Sequence, residues 1–149
     1  ESQEVIEMIL QEISRDKWES FCNEFSHLHK GWLVNVAQVD SHLLKQSGEE
    51  IEMNTAVPAE GIPLEAVDCH QEDRDMVFSI IAGDGDGRTV QQIREPGRVI
   101  FEKTDKGAHH GLRISNGRHQ TTLVRFRADA RPQDVNGYSK EEIQSVKGR

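Results

Sequence analysis

From Asp75 to Arg127 the chain reads as one apolar run after another, each cut off by a turn that contains glycine. That rhythm constrains the fold more than any other feature. Met76–Ile81 (MVFSII) is followed by Gly83-Asp84-Gly85-Asp86-Gly87, and Thr89–Ile93 by Glu95-Pro96-Gly97. Arg98–Lys103 (RVIFEK) is followed by Asp105-Lys106-Gly107 and Gly111–Ser115 by Asn116-Gly117, before Thr121–Arg127 (TTLVRFR) closes the series. Turns this short leave no room for a crossover helix, so the five strands are expected to form an antiparallel meander. Asn116-Gly117 is the strongest two-residue hairpin signal, because both central residues of a type I′ turn need positive φ. With such a loop, Leu112, Ile114, Thr121, Leu123, Arg125 and Arg127 share one face, and Arg113, Val124 and Phe126 share the other. Apolar residues then stand on both faces, which requires cover on both sides or a bulge that shifts the phase.

Upstream the pattern is helical. Trp18, Phe21, Cys22, Phe25 and Leu28 form one apolar stripe behind Asp16 and Glu19, a capping-box pair, and Gly31 stands where a left-handed residue ends a helix. Two of the five phenylalanines and one of the two tryptophans lie on this stripe, so the helix must cover a large apolar surface. Val5, Ile6, Ile9, Leu10 and Ile13 also recur at helical spacing behind Ser2 and predict a first, shorter helix. Trp32–Val39 (WLVNVAQV) reads as a strand, Ile51–Val57 alternates as an edge strand would, and Pro63–Val67 reads as a short strand. Ser139 and Glu142 offer a capping box for a short C-terminal helix or a frayed tail. The expected fold class is α+β: an N-terminal helix pair packed on a curved, mostly antiparallel sheet of six to eight strands, with a partly closed barrel as one form of it. Residues 1–128 would form the single domain and 129–149 a tail.

Composition narrows the function classes. Across 149 residues, 18 Lys and Arg face 26 Asp and Glu, a net charge of −8, which disfavours sequence-independent nucleic-acid binding. The sheet also lacks clustered aromatics for base stacking, since Tyr138, the one tyrosine, lies outside it. No apolar run approaches the ~18 residues of a membrane span, and Glu1-Ser2-Gln3-Glu4 is acidic where a signal peptide is basic. Two cysteines, Cys22 and Cys69, make no disulfide framework. These features predict a cytoplasmic protein with neither nucleic-acid nor membrane partners.

Candidate sites are sparse. Cys22, His27 and His29 lack metal-ligand spacing on one helix, and His29, just before Gly31, is expected to support the helix C-terminus through the dipole. Cys69-His70 stands among Asp68, Glu72, Asp73 and Asp75, which would raise a thiol pKa, so a buried inert cysteine is expected. Asp84-Gly85-Asp86-Gly87 resembles the start of a calcium loop. Arg88 and Val90 occupy ligand positions, and no helix flanks it, so it reads as a hairpin turn. His109, His110 and His119 fall near the ends of one hairpin and read as an exposed polar cluster. Charge is the stronger signal: residues 1–75 carry 17 acidic and 5 basic side chains, net −12, whereas residues 113–149 carry 4 acidic and 8 basic, net +4. Arg113, Arg118, Arg125, Arg127 and Arg131 lie on or beside the last two strands. They would contact an anion or an acidic partner, or else dock on the acidic half of their own fold. Arg113, Arg125 and Arg127 are the candidate contact residues.

The run Trp18-x-x-Phe21-x-x-x-Phe25-x-x-x-His29-x-Gly31-Trp32-x-Val34 resembles the opening of an uncharacterised bacterial family known only as a domain of unknown function. Pro63-Leu64, Pro96-x-x-Val99, Gly107, Leu112-x-Ile114 and Thr122-Leu123-x-x-Phe126 resemble it too, over about residues 14–128. These are core and turn residues, and the resemblance implies a fold without implying a catalytic residue, metal or cofactor. The expected function is a non-enzymatic interaction or regulatory module acting on an unknown protein partner or on itself. The alternative is a small ligand-binding or enzymatic barrel whose pocket gathers His and Arg side chains from separate strands.

Overall fold

The computed structural model describes residues 8–41, 59–83 and 85–132. Within them lie eight strands: β1 (Met8–Ile13), β2 (Leu33–Asp40), β3 (Ala59–Glu72), β4 (Asp75–Ala82), β5 (Thr89–Arg94), β6 (Pro96–Thr104), β7 (His109–Asn116) and β8 (Gln120–Ala130). One helix, α1 (Trp18–His29), accompanies them, preceded by a 3-10 turn at Arg15–Lys17. The predicted strand at 51–57 and the C-terminal helix at 139–146 lie outside the described residues. All strand pairs are antiparallel, in the order β1-β6-β7-β8-β2-β3-β4-β5. The α+β, sheet-rich class holds, and the sheet is open, with β1 and β5 at its edges.

Two expectations fail at the N-terminal side. The helix pair is one helix, because Met8–Ile13 is a strand paired with β6 from Met8↔Thr104 to Ile13↔Val99. A helix as short as the expected Val5–Ile13 is marginal in water, whereas Ile9, Leu10 and Ile13 suit a strand and cover a β6 edge that would otherwise be unpaired. The capping box is also absent: Lys17 occupies the N-cap with no side-chain hydrogen bond. The helix start is held instead by Trp18, whose indole N–H donates to the Ile13 carbonyl at 3.0 Å.

The continuous meander is interrupted as well. β5 and β6 follow each other in sequence but do not pair. Glu95, at φ 57°, is the single residue between them, too short a link for a hairpin, and it turns the chain into a corner. Two three-stranded meanders, β3-β4-β5 and β6-β7-β8, therefore result, with β2 joining them between β8 and β3. The β4–β5 turn is the glycine-rich hairpin expected: Gly83 sits at φ 89°, and a Cβ there would collide with the Gly87 backbone.

The last hairpin resolves the two-faced pattern. Ser115 pairs with Thr121 and Leu112 with Val124, so the loop holds five residues rather than two. Asn116 Oδ1 accepts from the Arg118 and Gln120 amides at 2.9 and 3.1 Å, an Asx-type closure that spends the Asn side chain differently from a type I′ turn. His119, not Asn116 or Gly117, takes the positive φ. The three-residue difference in register is odd and so changes the face. Leu112, Ile114, Val124 and Phe126 now look the same way, toward α1, together with Val34, Val36, Val99 and Phe101. Arg113, Leu123 and Arg125 look the other way and are nonetheless buried.

The sheet curves around α1. Trp18 meets Phe78 of β4 edge-on at 5.2 Å between ring centroids, while Phe25 meets Phe101 of β6 at 5.6 Å and Phe126 of β8 at 5.9 Å. One helix touches β4, β6 and β8 only if those strands converge on it. The buried positions are Trp18, Cys22, Phe25 and His29, while Leu28 keeps 38% of its surface in water. The stripe thus ends on a histidine instead of the expected leucine. Phe25→Ala is expected to cost about 3–5 kcal/mol in urea denaturation, and Leu28→Ala no more than about 0.5 kcal/mol.

Candidate functional site

His29 is wholly buried at the last position of α1. Its Nδ1 lies 2.7 Å from the Phe25 carbonyl oxygen and its Nε2 lies 2.7 Å from Nδ1 of His109, 80 residues away in sequence. A carbonyl oxygen only accepts, so His29 Nδ1 carries a proton and donates to Phe25. In neutral His29 the Nε2 atom is then an acceptor, and His109 donates its Nδ1–H into it. The donor order fixes the tautomer of both rings and leaves His109 Nε2 as a lone pair. Burial first, and the Lys103 ammonium second, hold the His109 pKa below the ordinary histidine value, so the ring is neutral at neutral pH.

Local backbone places His109 there. The Thr104 amide donates to the Ala108 carbonyl, Gly107 (φ 86°) closes the turn onto the Thr104 carbonyl, and the Thr104 hydroxyl accepts from the Ala108 amide. Both ladders flanking β7 lose register at its start, between Glu102/Lys103 on one side and His109/Gly111 on the other. A bulge re-aims a side chain where regular pleating would not. Here it turns His109 toward the rings of His29, Phe101 and Trp32. Its centroid lies 4.9 Å from His29, 4.9 Å from Phe101 and 6.4 Å from Trp32, and His29 stacks on Phe126 at 4.8 Å.

The resulting cluster is apolar with few polar points. Trp32 is fully buried, its ring 4.9 Å from Phe126, and its indole N–H has no hydrogen-bond partner. Lys103 stands over the Phe101 ring, 5.4 Å from its centroid. His109 is half-buried, whereas His29, Trp32 and Phe126 beside it are buried. Convergence of a few polar atoms on aromatic walls is the usual composition of a small-molecule site.

The arginines singled out by charge do not share one surface. Arg127 is exposed, whereas Arg113 and Arg125 are buried against Glu102. Arg113 Nε donates to Glu102 Oε2 at 2.5 Å, and Arg125 Nη2 donates to the same oxygen at 3.4 Å. Docking on the fold's own carboxylate was one of the two expected roles, but the partner is Glu102 of β6 and not the acidic N-terminal half. Arg118 and Glu95, both exposed, pair at 3.7 Å.

The other expectations fall elsewhere. Cys22 and Cys69 are brought near each other, which no spacing signalled. Burial pushes both thiols up, Cys69 to about 11, with Glu19 and Asp68 adding to it there, and Cys22 further still. His70 lies on the surface between Asp68 and Glu72, whose carboxylates raise its pKa. His110 bonds Asp129 at 2.7 Å. Among the described residues no group of three or more His, Cys, Asp or Glu could hold a metal ion, and no helix is long and apolar enough to cross a membrane.

Comparison of the chain with protein-family models, curated proteins and solved structures gives no match. What the aromatic cluster can do is set by its own chemistry.

Two measurements check this geometry. In an NMR titration His109 is expected to turn below the ordinary histidine value of 6.5 and His70 above it. The linkage signs are opposite. The His109 contribution to stability is complete above its unfolded pKa and is lost as pH falls through the window below it. That of His70 is complete below its unfolded pKa and is lost as pH rises through its folded value. Native protein is also expected to leave both thiols unmodified by an aromatic disulfide reagent at neutral pH, with full reaction only after unfolding.

Proposed function

We propose that the protein is a non-enzymatic binding module, and that its ligand is a flat apolar molecule carrying one acidic group, taken at the mouth formed by His109, Trp32, Phe101, Phe126 and Lys103. The observation that carries this reading is the hydrogen-bond order from His109 through His29 to the Phe25 carbonyl. It leaves His109 Nε2 outside the pair, on a ring whose centroid lies 6.4 Å from that of Trp32 and 4.9 Å from that of Phe101.

Binding is favoured over catalysis by the state of the neighbouring groups. A general base needs a nucleophile or substrate proton within reach and a pKa near the working pH. The two thiols are held protonated by burial, and His109 is a weakened base. The ligand's acidic group is called for by Lys103 over the Phe101 ring, and its apolar body by the rings. An anion at this place offsets the Lys103 charge that depresses His109, so binding should draw a proton onto the imidazole and tighten as pH falls.

The test uses 8-anilinonaphthalene-1-sulfonate, an aromatic anion, as the probe. Saturable binding with blue-shifted emission is expected, weakened about tenfold by His109→Ala and by Lys103→Glu, which corresponds to ~1.4 kcal/mol each. Arg127→Glu, at an exposed position away from the mouth, should leave it unchanged. Near-UV circular dichroism of each variant separates loss of the site from loss of packing. Equal affinity in His109→Ala, Lys103→Glu and the parent protein would overturn the proposal.

A further inference from the structure

Behind the mouth, on the opposite face of β6, β7 and β8, the Glu102–Arg113–Arg125 cluster is incomplete. Two guanidinium groups and one carboxylate, at most 7% exposed, leave one positive charge in excess. Both arginines bond the same oxygen, Oε2. Glu102 Oε1, Arg113 Nη2 and Arg125 Nε are buried with no partner at all. Each of these atoms is separated by one atom from the one that makes the ion pair with Oε2. A single ligand that satisfies all three is small. It must accept from two guanidinium N–H groups and, because an ionised carboxylate only accepts, it must donate one proton to Oε1.

The lane between the partners is open for the same reason. Glu102 pairs with Gly111 on β7, and Gly111 pairs with Arg125 on β8. A Cβ on Gly111 would collide with the Val124 carbonyl and come within 3.2 Å of Arg125 Cγ. Only glycine lets the Arg125 side chain cross β7 and reach Glu102.

We propose that this cluster binds a small monoprotonated oxyanion, hydrogen phosphate or bicarbonate, with its oxygens on Arg113 Nη2 and Arg125 Nε and its O–H donating to Glu102 Oε1. A bicarbonate ion brings the cluster to neutrality, and hydrogen phosphate brings it to a single negative charge, each replacing the uncompensated buried cation. The requirement for a proton on the ligand separates this site from a generic cationic patch. A buried acceptor rejects an ion that offers it no donor, as sulfate and nitrate do not.

Protein freed of oxyanions by dialysis into chloride is titrated with phosphate and sulfate, and separately with bicarbonate and nitrate, each pair at equal ionic strength, with thermal unfolding followed by tryptophan fluorescence. A saturable rise in Tm is expected with one protonated ion, at least ~tenfold weaker for its unprotonated counterpart. Phosphate as the effective member assigns hydrogen phosphate, and bicarbonate as the effective member assigns that ion. Glu102→Gln, whose amide can donate, is expected to lose the discrimination against sulfate or nitrate. Should that variant fail to fold, the paired titrations of the parent protein decide alone. Equal effects within each pair, or no saturable effect of either protonated ion, would overturn the proposal and leave the three atoms to ordered water.

Discussion

The hydrogen bond from His109 to His29 joins the last turn of the only described helix to the first residue of β7, and the functional end of the molecule is arranged around it. A fully buried imidazole that loses one partner costs about 1–3 kcal/mol, so His29 demands a donor at its Nε2. The bulges at the start of β7 supply one. Because the Phe25 carbonyl dictates which nitrogen of His29 carries the proton, one backbone oxygen in α1 sets the protonation pattern of a ring on a distant strand. The remaining features of the mouth follow from packing: Phe25, Phe101, Phe126 and Trp32 surround the pair because α1 lies in the curve of the sheet, where β2, β6 and β8 converge.

The two faces of β6–β7–β8 divide the chemistry. Successive residues alternate across a strand, so Phe101 and Lys103 face the aromatic mouth while Glu102 faces the arginines. The buried ion pairs are not a general source of stability. Replacing such a cluster by well-packed apolar residues is often neutral, whereas removing one partner alone costs about 3–5 kcal/mol. Their presence on a strand trio that also presents a binding mouth is better understood as fixing register. Arg113, Arg125 and Glu102 can meet only if β7 pairs with both neighbours as observed, with Gly111 between them.

Much of the architecture was legible in the residues, and the reasons for the misses are specific. Glycine turns and short apolar runs gave the antiparallel strands, and Trp18, Cys22 and Phe25 gave the buried face of α1. Met8–Ile13 misled because six apolar-rich residues satisfy both periods, and pairing with β6, about ninety positions away, decided the matter. Asn116-Gly117 misled because Asn can close a longer loop with its own side chain, and the odd shift exchanged the faces of Leu123 and Val124. The site was less legible. Continuing the stripe from Phe25 by one helical turn lands on His29, a polar residue on an apolar face, and that was the readable signal. Nothing in spacing could connect it to His109, or Cys22 to Cys69, because contacts between separate strands and helices leave no periodic trace. The arginine count was visible, but its split into a buried pair and the exposed Arg127 depended on a register the turn alone determines.

The most direct measurement is the trans-hydrogen-bond coupling between the two imidazoles, read by NMR on protein with nitrogen-15 histidine. A scalar coupling between His109 Nδ1 and His29 Nε2, with protons on Nδ1 of both rings, is the expected result, and it should persist when His109 takes its second proton on Nε2, because the Nδ1–H donor stays in place. Absence of that coupling in native protein at neutral pH, with the two rings showing independent tautomers, would contradict the arrangement on which the mouth is built.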